Sequence, residues 1–464
     1  MGTGQANVTG GGREAAYRAV LAVLRGRGFA SGVLRGAGLA GHELALANEI
    51  ALGTVRHAMT IECVLAALAR YEPRRTPGEV RAVLLTAAYQ VIWMDRVPVF
   101  AAVDEAVAQA RGHAGQRAAG MVNAVLRRLS AAVAERRVPW RRLDPAQVRV
   151  NWGESCAFAK PVLPDPDGPG LLVRHLAAAT SERPARYQEL VVCHGADVAE
   201  QIAWASQAVP VVVLHRNRLR IDPQAFEERI REDFGAGAVV CEDVAYLGSR
   251  AHLGESPMFS DGLAFVQDTT AHGAAELVGA QPGERVLDWC AAPGGKSVAM
   301  ALAMGDEGEV VAADASAERL ALVRENADRL GLRSIRTVTG SGAAGLGGEL
   351  FDAALVDVPC SNTGVLARRP EARLGYAKEK LAALLGVQQK LIEQASQHVR
   401  LGGRLVYSTC SLEPEENEGV VARFLEAQPH WRLESQATTL PVWGPQPSNW
   451  RDGGYAARLI HGVV

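Results

Sequence analysis

Several features that would place this 464-residue chain in a familiar class are missing from it. No apolar run approaches the roughly 18–20 residues that a membrane-crossing helix needs, so the chain reads as a soluble protein with no membrane partner. The first twenty residues, MGTGQANVTGGGREAAYRAV, contain no apolar core segment, which argues against a secretory signal. They also lack the Ser or Thr of a myristoylation pattern. Cysteine is scarce: Cys63, Cys156, Cys193, Cys241, Cys290, Cys360 and Cys410 are scattered, odd in number and without a C-x-x-C pair. That spacing excludes a disulfide framework and a zinc site, leaves no metal expected, and fits a reducing, cytoplasmic compartment. Lysine is nearly absent, with five residues against 44 Arg. No internal repeat is present. A composition of 48% hydrophobic and 22% charged residues excludes a disordered or collagen-like chain.

The formal charge of −2 hides a division. Residues 1–150 carry 20 Arg, no Lys and 11 acids, a net +9, and the remainder carries −11. Between Arg111 and Arg142 eight Arg face one acid, Glu135. A stripe of that kind suits a phosphate backbone, and the planar guanidinium suits it better than an ammonium. The competing reading is a solvated helix face in an Arg-rich composition.

Apolar residues recur at helical spacing through residues 13–142, for example Ala16, Val20, Val23 and Leu24, then Ile50, Val55, Ile61, Val64 and Leu65. Pro73, Pro77 and Pro98 punctuate the pattern, and the spacing predicts an all-α domain over 13–142. Residues 143–180 include the Pro-, Gly- and Asp-rich stretch 151–170 and are read as linker or insertion. A short β-branched run at Val209–Leu214, a helix at Pro223–Phe234 and a strand at Ala238–Cys241 predict a small α+β module over 181–263. Arg216, Arg218 and Arg220 follow its first strand. Over 264–464 strands alternate with helices. Strands are predicted at Arg285–Trp289, Glu309–Ala313, Ile335–Thr339, Ala353–Val358 and Arg404–Ser408, with a closing strand at Tyr455–Ile460. The fold class is therefore α/β, with a mostly parallel, doubly wound sheet that would bind its ligand beyond the carboxyl ends of the strands.

The chemistry-bearing motifs sit at those ends. Cys290-Ala-Ala-Pro-Gly-Gly-Lys-Ser297 follows the first strand and opens a helix whose free N–H groups suit a carboxylate. Asp314 ends the second strand, where an acid accepts hydrogen bonds from ribose hydroxyls. Its competing role as a helix cap falls to Ser316. Gly340-Ser-Gly-Ala-Ala-Gly345 has the form G-x-G-x-x-G but follows the third strand and leads into a poor helix start, so it is read as a loop and not as a dinucleotide site. Asp357-Val-Pro-Cys-Ser361 and Ser408-Thr-Cys-Ser411 end the next two strands. One cysteine in such a place is usually an inert hydrophobe. Two in equivalent places, Cys360 and Cys410, point to working thiols, and the other five are read as packing.

Taken together, CAAPGGKS at 290–297, Asp314, DVPCSNTGVLARRPEARL at 357–374, GGRLVYSTCSLEPEENE at 402–418, FVQDTTA at 265–271 and GGYAARL at 453–459 resemble the RNA cytosine-C5 methyltransferases. Residues 45–57, 87–98 and 120–129 resemble the NusB-like RNA-binding domain, and the pairing resembles the bacterial RsmB/Sun-type (Fmu) 16S rRNA methyltransferases. The resemblance implies a NusB-like helical domain, a small α+β module and a Rossmann-like methyltransferase domain using S-adenosylmethionine. It implies that Cys410 is the nucleophile that adds to cytosine C6, that Cys360 assists release, that Asp357 and Lys296 act at the base, and that Arg216, Arg218 and Arg220 of the small module grip the RNA backbone. Cys290, Ala291, Ala292, Pro293, Gly294, Gly295, Lys296, Asp314 and Asp357 would bind the cofactor. The implied partner is 16S rRNA, unassembled or partly assembled, bound by a monomer. A cytosine-C5 methyltransferase of tRNA or another RNA, or an inactive RNA-binding relative, remain as alternatives. Three positions depart from the pattern: Ser341 replaces an acid, Val358 replaces an alanine, and 151–170 is longer than the usual link.

Overall fold

The computed structural model describes residues 11–69, 71–248, 253, 256–340 and 345–462. They fall into two compact units, one of residues 1–208 with 369–375 and one of residues 209–368 with 376–464.

The first unit begins with helices Gly12–Leu24, Ala30–Arg35, Gly41–Arg56, Ala58–Ala69, Gly78–Trp93 and Val99–Ala132, the last broken at Gly115, whose φ is +83°. The 3.6-residue apolar period buries one stripe of the outer helices, Gly78–Trp93 is buried on all sides from Ala82 onward, and Ala16, Val20, Ile50, Ile61, Leu65, Leu84 and Leu85 form a single core. Gly53 is required there, because a Cβ would fall 2.0 Å from the ring of Tyr89.

The helical reading fails after Ala132. Residues Val133–Pro139, Glu154–Phe158 and Gln147–Arg149 form an antiparallel three-stranded sheet. Arg136 ties the first strand down by donating to the carbonyls of Val91 and Gln90, and Arg137 pairs with Asp95 at 2.7 Å. The stretch taken as linker therefore holds a strand with Cys156 fully buried. Helices Leu171–Ala179, Pro184–His194 and Ala196–Ala205 follow in the same unit. Where the sequence placed the start of the α+β module at residue 181, the structure places the change of unit after Ala208.

The second unit opens with a four-stranded antiparallel sheet in the order Val239–Cys241, Val244–Leu247, Val212–Arg216, Ala264–Val266. Helix Pro223–Phe234, capped by the Asp222 carboxylate accepting from Ala225 N, packs on it through Phe226 and Ile230. Then comes a seven-stranded sheet: β1 (Arg285–Trp289), β2 (Glu309–Asp314), β3 (Ile335–Thr339), β4 (Phe351–Asp357), β5 (Val399–Thr409), β6 (Trp431–Thr439) and β7 (Gly454–His461). The spatial order is β3-β2-β1-β4-β5-β7-β6, parallel through the first five and antiparallel at β7 and β6. The predicted α/β class with a mostly parallel, doubly wound sheet is what the structure has. Continuous apolar runs such as Ala353–Val356 are buried on both faces, as a central parallel strand requires. The order reverses between β1 and β4, so the crevice falls at their carboxyl ends.

Among the described residues no single helix is long and apolar enough to cross a membrane.

Candidate active site

The turn after β1 is shaped by two residues at positive φ, Cys290 at +70° and Gly294 at +101°. A Cβ on Gly294 would also lie 3.0 Å from the Val323 side chain, so glycine is demanded by conformation and by helix packing together. The following helix, Gly295–Ala303, has no side-chain cap. Its first N–H groups are left to face the turn, a fitting place for the carboxylate of an amino-acid-like ligand.

Asp314, buried at the end of β2, is not idle. Its Oδ2 accepts from Ala292 N at 3.2 Å and pairs with Arg319 at 3.4 Å, and its Oδ1 accepts from Ser316 N at 2.9 Å. Ser316 is the cap of the next helix, accepting from Arg319 N at 3.2 Å. The carboxylate thus fixes the 290–294 turn and keeps acceptor capacity on Oδ1 for a hydroxyl. These residues fit a cofactor with a methionine end and a ribose. Ser341 lies outside the described residues, as does the centre of the Gly340–Gly345 loop. Val358 is buried among core side chains that include Val356, Ile392 and Tyr407, so the methyl groups that distinguish it from alanine are absorbed by packing.

At the ends of β4 and β5 five side chains converge. Lys296 Nζ donates to Asp357 Oδ2 at 2.7 Å, and Ser408 Oγ donates to Asp357 Oδ1 at 2.8 Å. Burial disfavours the Lys296 ammonium, but Asp357, Asp288 and Cys410 together outweigh it and hold its pKa above the ordinary value. Cys360 and Cys410 lie on neighbouring strand ends with their sulfurs 3.2 Å apart, both as free thiols. The hydrogen bond to Cys410 and burial both push the Cys360 pKa well above the usual thiol range, so Cys360 keeps its proton. Cys410 Sγ, as a thiol, donates to Asn362 Oδ1 at 3.4 Å. Lys296, Asp357 and Cys410 line one cavity of about 900 Å3 that extends to β6 and residues 448–456.

Arg368 holds one side of that cavity together. It bridges Asp268, at 3.3 Å, and Asp452, and so ties three motifs far apart in sequence. Burial, and then the nearby Asp268, outweigh Arg368 and raise the Asp452 carboxyl to about 7.

Sequence reasoning assigned no role to two buried acids. Asp288, in the middle of β1, accepts from Ser297 Oγ at 2.5 Å, while its other oxygen has no partner among the described residues. Burial raises it from 3.8 to about 7. Between those values the folded state binds the proton that the unfolded state has released, so stability falls as pH rises from about 4 to 7. Asp288→Asn is expected to remove that slope. The unfolding free-energy difference from wild type should shift in the variant's favour by roughly 1–3 kcal/mol between pH 5 and pH 8, measured by calorimetry across the range. A pH-independent difference would contradict it. The second acid, Glu416, is fully buried beside both cysteine loops. The sequence signal was, for Asp288, an acid inside an apolar run and, for Glu416, an acid within the 402–418 stretch.

The remaining cysteines differ from expectation in part. Cys156 is buried, burial pushes the half-buried Cys290 up to about 12, and Cys63 donates to Val162 O at 3.5 Å. Cys193 and Cys241 are exposed and do not pack. The predicted RNA contacts are also thinned. Arg216 and Arg218 both pair with Asp243, at 2.5 and 2.7 Å, and Arg220 donates to the carbonyls of Asp261 and Arg329. Within the Arg111–Arg142 stripe, Arg142 pairs with Glu200 at 2.7 Å, whereas Arg117, Arg127, Arg128 and Arg141 are exposed.

The chain is similar to known proteins along both units. Residues 275–446 match the family of 16S rRNA methyltransferases RsmB/F, and residues 12–131 match the NusB family. A probable ribosomal RNA small subunit methyltransferase B from Synechocystis is 31% identical over 400 residues, 85% of this chain and 83% of that one. A ribosomal RNA small subunit methyltransferase B from Pseudomonas putida is 30% identical over 461 residues, 97% of this chain and 98% of the other. The crystal structure of PH0851 shares the fold, with a TM-score of 0.72 at 19% identity over 96% of this chain and 98% of that one. With a parallel methyltransferase sheet, a turn fitted to S-adenosylmethionine and a NusB-like helical region, the chain belongs to the RsmB/F family of S-adenosylmethionine-dependent RNA methyltransferases.

Proposed function

We propose that the protein methylates C5 of a cytosine in 16S rRNA through a covalent adduct between Cys410 and C6. The observation that carries this reading is the pair of thiols 3.2 Å apart beside the Lys296–Asp357 ion pair, at the ends of β4 and β5. Cytosine C5 is a poor nucleophile and needs electron density before it can take a methyl group. Addition of the Cys410 thiolate to C6 supplies that density. Asp357, held by Lys296 and Ser408, is placed to hydrogen-bond the base edge and favour protonation of the ring nitrogen as the adduct forms. When bound, S-adenosylmethionine supplies the electrophilic methyl group. Loss of the C5 proton to water in the open cavity and departure of Cys410 as a thiolate, which can take the Cys360 proton, then restore the aromatic ring. Cys360, which keeps its own proton in the resting pair, assists that departure. The cavity beside Cys410 is open to a base taken out of its stack. The substrate form is proposed to be free or partly assembled 16S rRNA, bound by a monomer in the cytoplasm, with the exposed Arg117, Arg127, Arg128 and Arg141 contributing phosphate contacts.

Bisulfite sequencing of total RNA from a strain lacking the protein, beside its parent, tests this. One methylcytosine missing from 16S rRNA is the expected result. A loss confined to tRNA would reassign the substrate, and no loss in any RNA would refute the activity.

A further inference from the structure

The two cysteine loops share an anchor that lies outside the catalytic assignments above. Glu416 is completely shielded from solvent, and four donors converge on its carboxylate. Oε1 accepts from Ser361 N and from Gln388 Nε2, both at 2.9 Å. Oε2 accepts from Ser411 Oγ at 2.5 Å and from Ser361 Oγ. Ser361 directly follows Cys360, and Ser411 directly follows Cys410. Gln388 Nε2 also donates to the carbonyl of Pro359, the residue before Cys360, at 3.0 Å. The anchor is itself held, because Tyr407 donates to the Glu416 carbonyl at 2.6 Å and Asn417 Nδ2 donates to the Ser411 carbonyl at 3.1 Å.

A carboxylate has about four acceptor sites and no donor, so four converging donors match it. A buried charge is tolerated where it is this fully hydrogen-bonded. The arrangement goes beyond filling a core, because both loops it gathers end in a thiol.

We propose that Glu416 is a positioning residue for the methyl transfer: by holding Ser361 and Ser411 on one carboxylate it sets the 3.2 Å approach of Cys360 to Cys410. The proposal rests on the two-cysteine reading of the site. Its negative charge, near Cys360, also helps that thiol keep its proton.

Glu416→Gln removes the charge and turns one acceptor oxygen into an NH2 that the Ser361 and Ser411 hydroxyls can meet only by reversing their own hydrogen bonds, so the hold on the two loops weakens and they should part. Two readouts follow. In steady state, kcat should fall about 10- to 100-fold while KM for RNA and the Kd for S-adenosylmethionine stay within about twofold, the split expected when reacting groups are misplaced and binding is spared. Without RNA or cofactor, diamide should oxidise Cys360 and Cys410 to a disulfide in the wild type. The two thiols give up two protons and two electrons, and diamide is reduced to its hydrazine. The variant should form that disulfide roughly tenfold more slowly, because exchange between thiols depends on their approach. The disulfide readout needs no methyl transfer, so it stands even where the cytosine activity fails, and loss of that activity alone does not touch it. Should Glu416→Gln not fold, Ser361→Ala combined with Ser411→Ala keeps the carboxylate and is expected to slow both processes in the same direction. Unchanged kcat and unchanged disulfide formation would overturn the proposal. So would a loss that appears equally in cofactor binding.

Discussion

Cys410→Ala is expected to abolish methyl transfer and leave S-adenosylmethionine binding intact. The residue sits at the carboxyl end of β5, half-buried, on the wall of the cavity that also exposes Asp357 and Lys296. Its sulfur is remote in role from the 290–294 turn and Asp314, whose hydrogen bonds do not involve it. In its proposed role it alone forms the bond that makes C5 nucleophilic, and no other side chain supplies an equivalent. Cys360 is the nearest thiol, but burial and its hydrogen bond keep it protonated. Loss of an essential nucleophile typically costs a factor of about 10^4 or more in kcat. Tritiated methyl incorporation into 16S rRNA measures the first half of the expectation and titration calorimetry with the cofactor the second. Turnover near the wild-type rate would remove Cys410 from the mechanism.

Cys360→Ala is expected to behave in the opposite sense, by accumulating a covalent protein–RNA adduct. The nucleophile is untouched, so the bond to C6 still forms. What is lost is the neighbouring thiol 3.2 Å away, the group placed to act on the departing sulfur. The adduct therefore persists after methylation, and turnover falls by about the 10^2- to 10^4-fold expected for loss of a general acid–base partner. A slow-migrating band on denaturing gels, dependent on both RNA and S-adenosylmethionine, is the readout. The band should vanish in the double variant with Cys410→Ala. A Cys360→Ala protein that turns over freely without an adduct would reverse or dissolve the two assignments.

Much of the methyltransferase unit was legible before any coordinates. The runs at Arg285–Trp289 and Ile335–Thr339 coincide with β1 and β3, and Pro223–Phe234 is a helix with those ends. These elements announce themselves through β-branched runs and helical periodicity, which act within a few residues. β6, Trp431–Thr439, was not seen. It is an edge strand whose residues WRLESQATT are mostly exposed, and only pairing with β7 makes it a strand. Val133–Pro139 was read as helix for the same kind of reason. Its partner is Glu154–Phe158, inside a stretch whose Pro and Gly content suggested a linker.

The candidate site divides in the same way. That Cys290–Lys296, Asp314, Asp357, Cys360 and Cys410 stand at strand ends follows from local pattern, because a strand's length and the turn after it are written in consecutive residues. Charge followed no such rule. Arg216, Arg218 and Arg220 looked available to RNA, yet Asp243 and backbone carbonyls occupy them. Local pattern along the chain is enough for the α/β class, the strand ends and the residue types brought to them. Long-range packing brings Lys296 to Asp357 from 61 positions away, joins the two sulfurs across 50, and gathers both loops on Glu416. Those outcomes depend on burial and on hydrogen-bond geometry between segments that come together only when the sheet closes, so no local pattern encodes them.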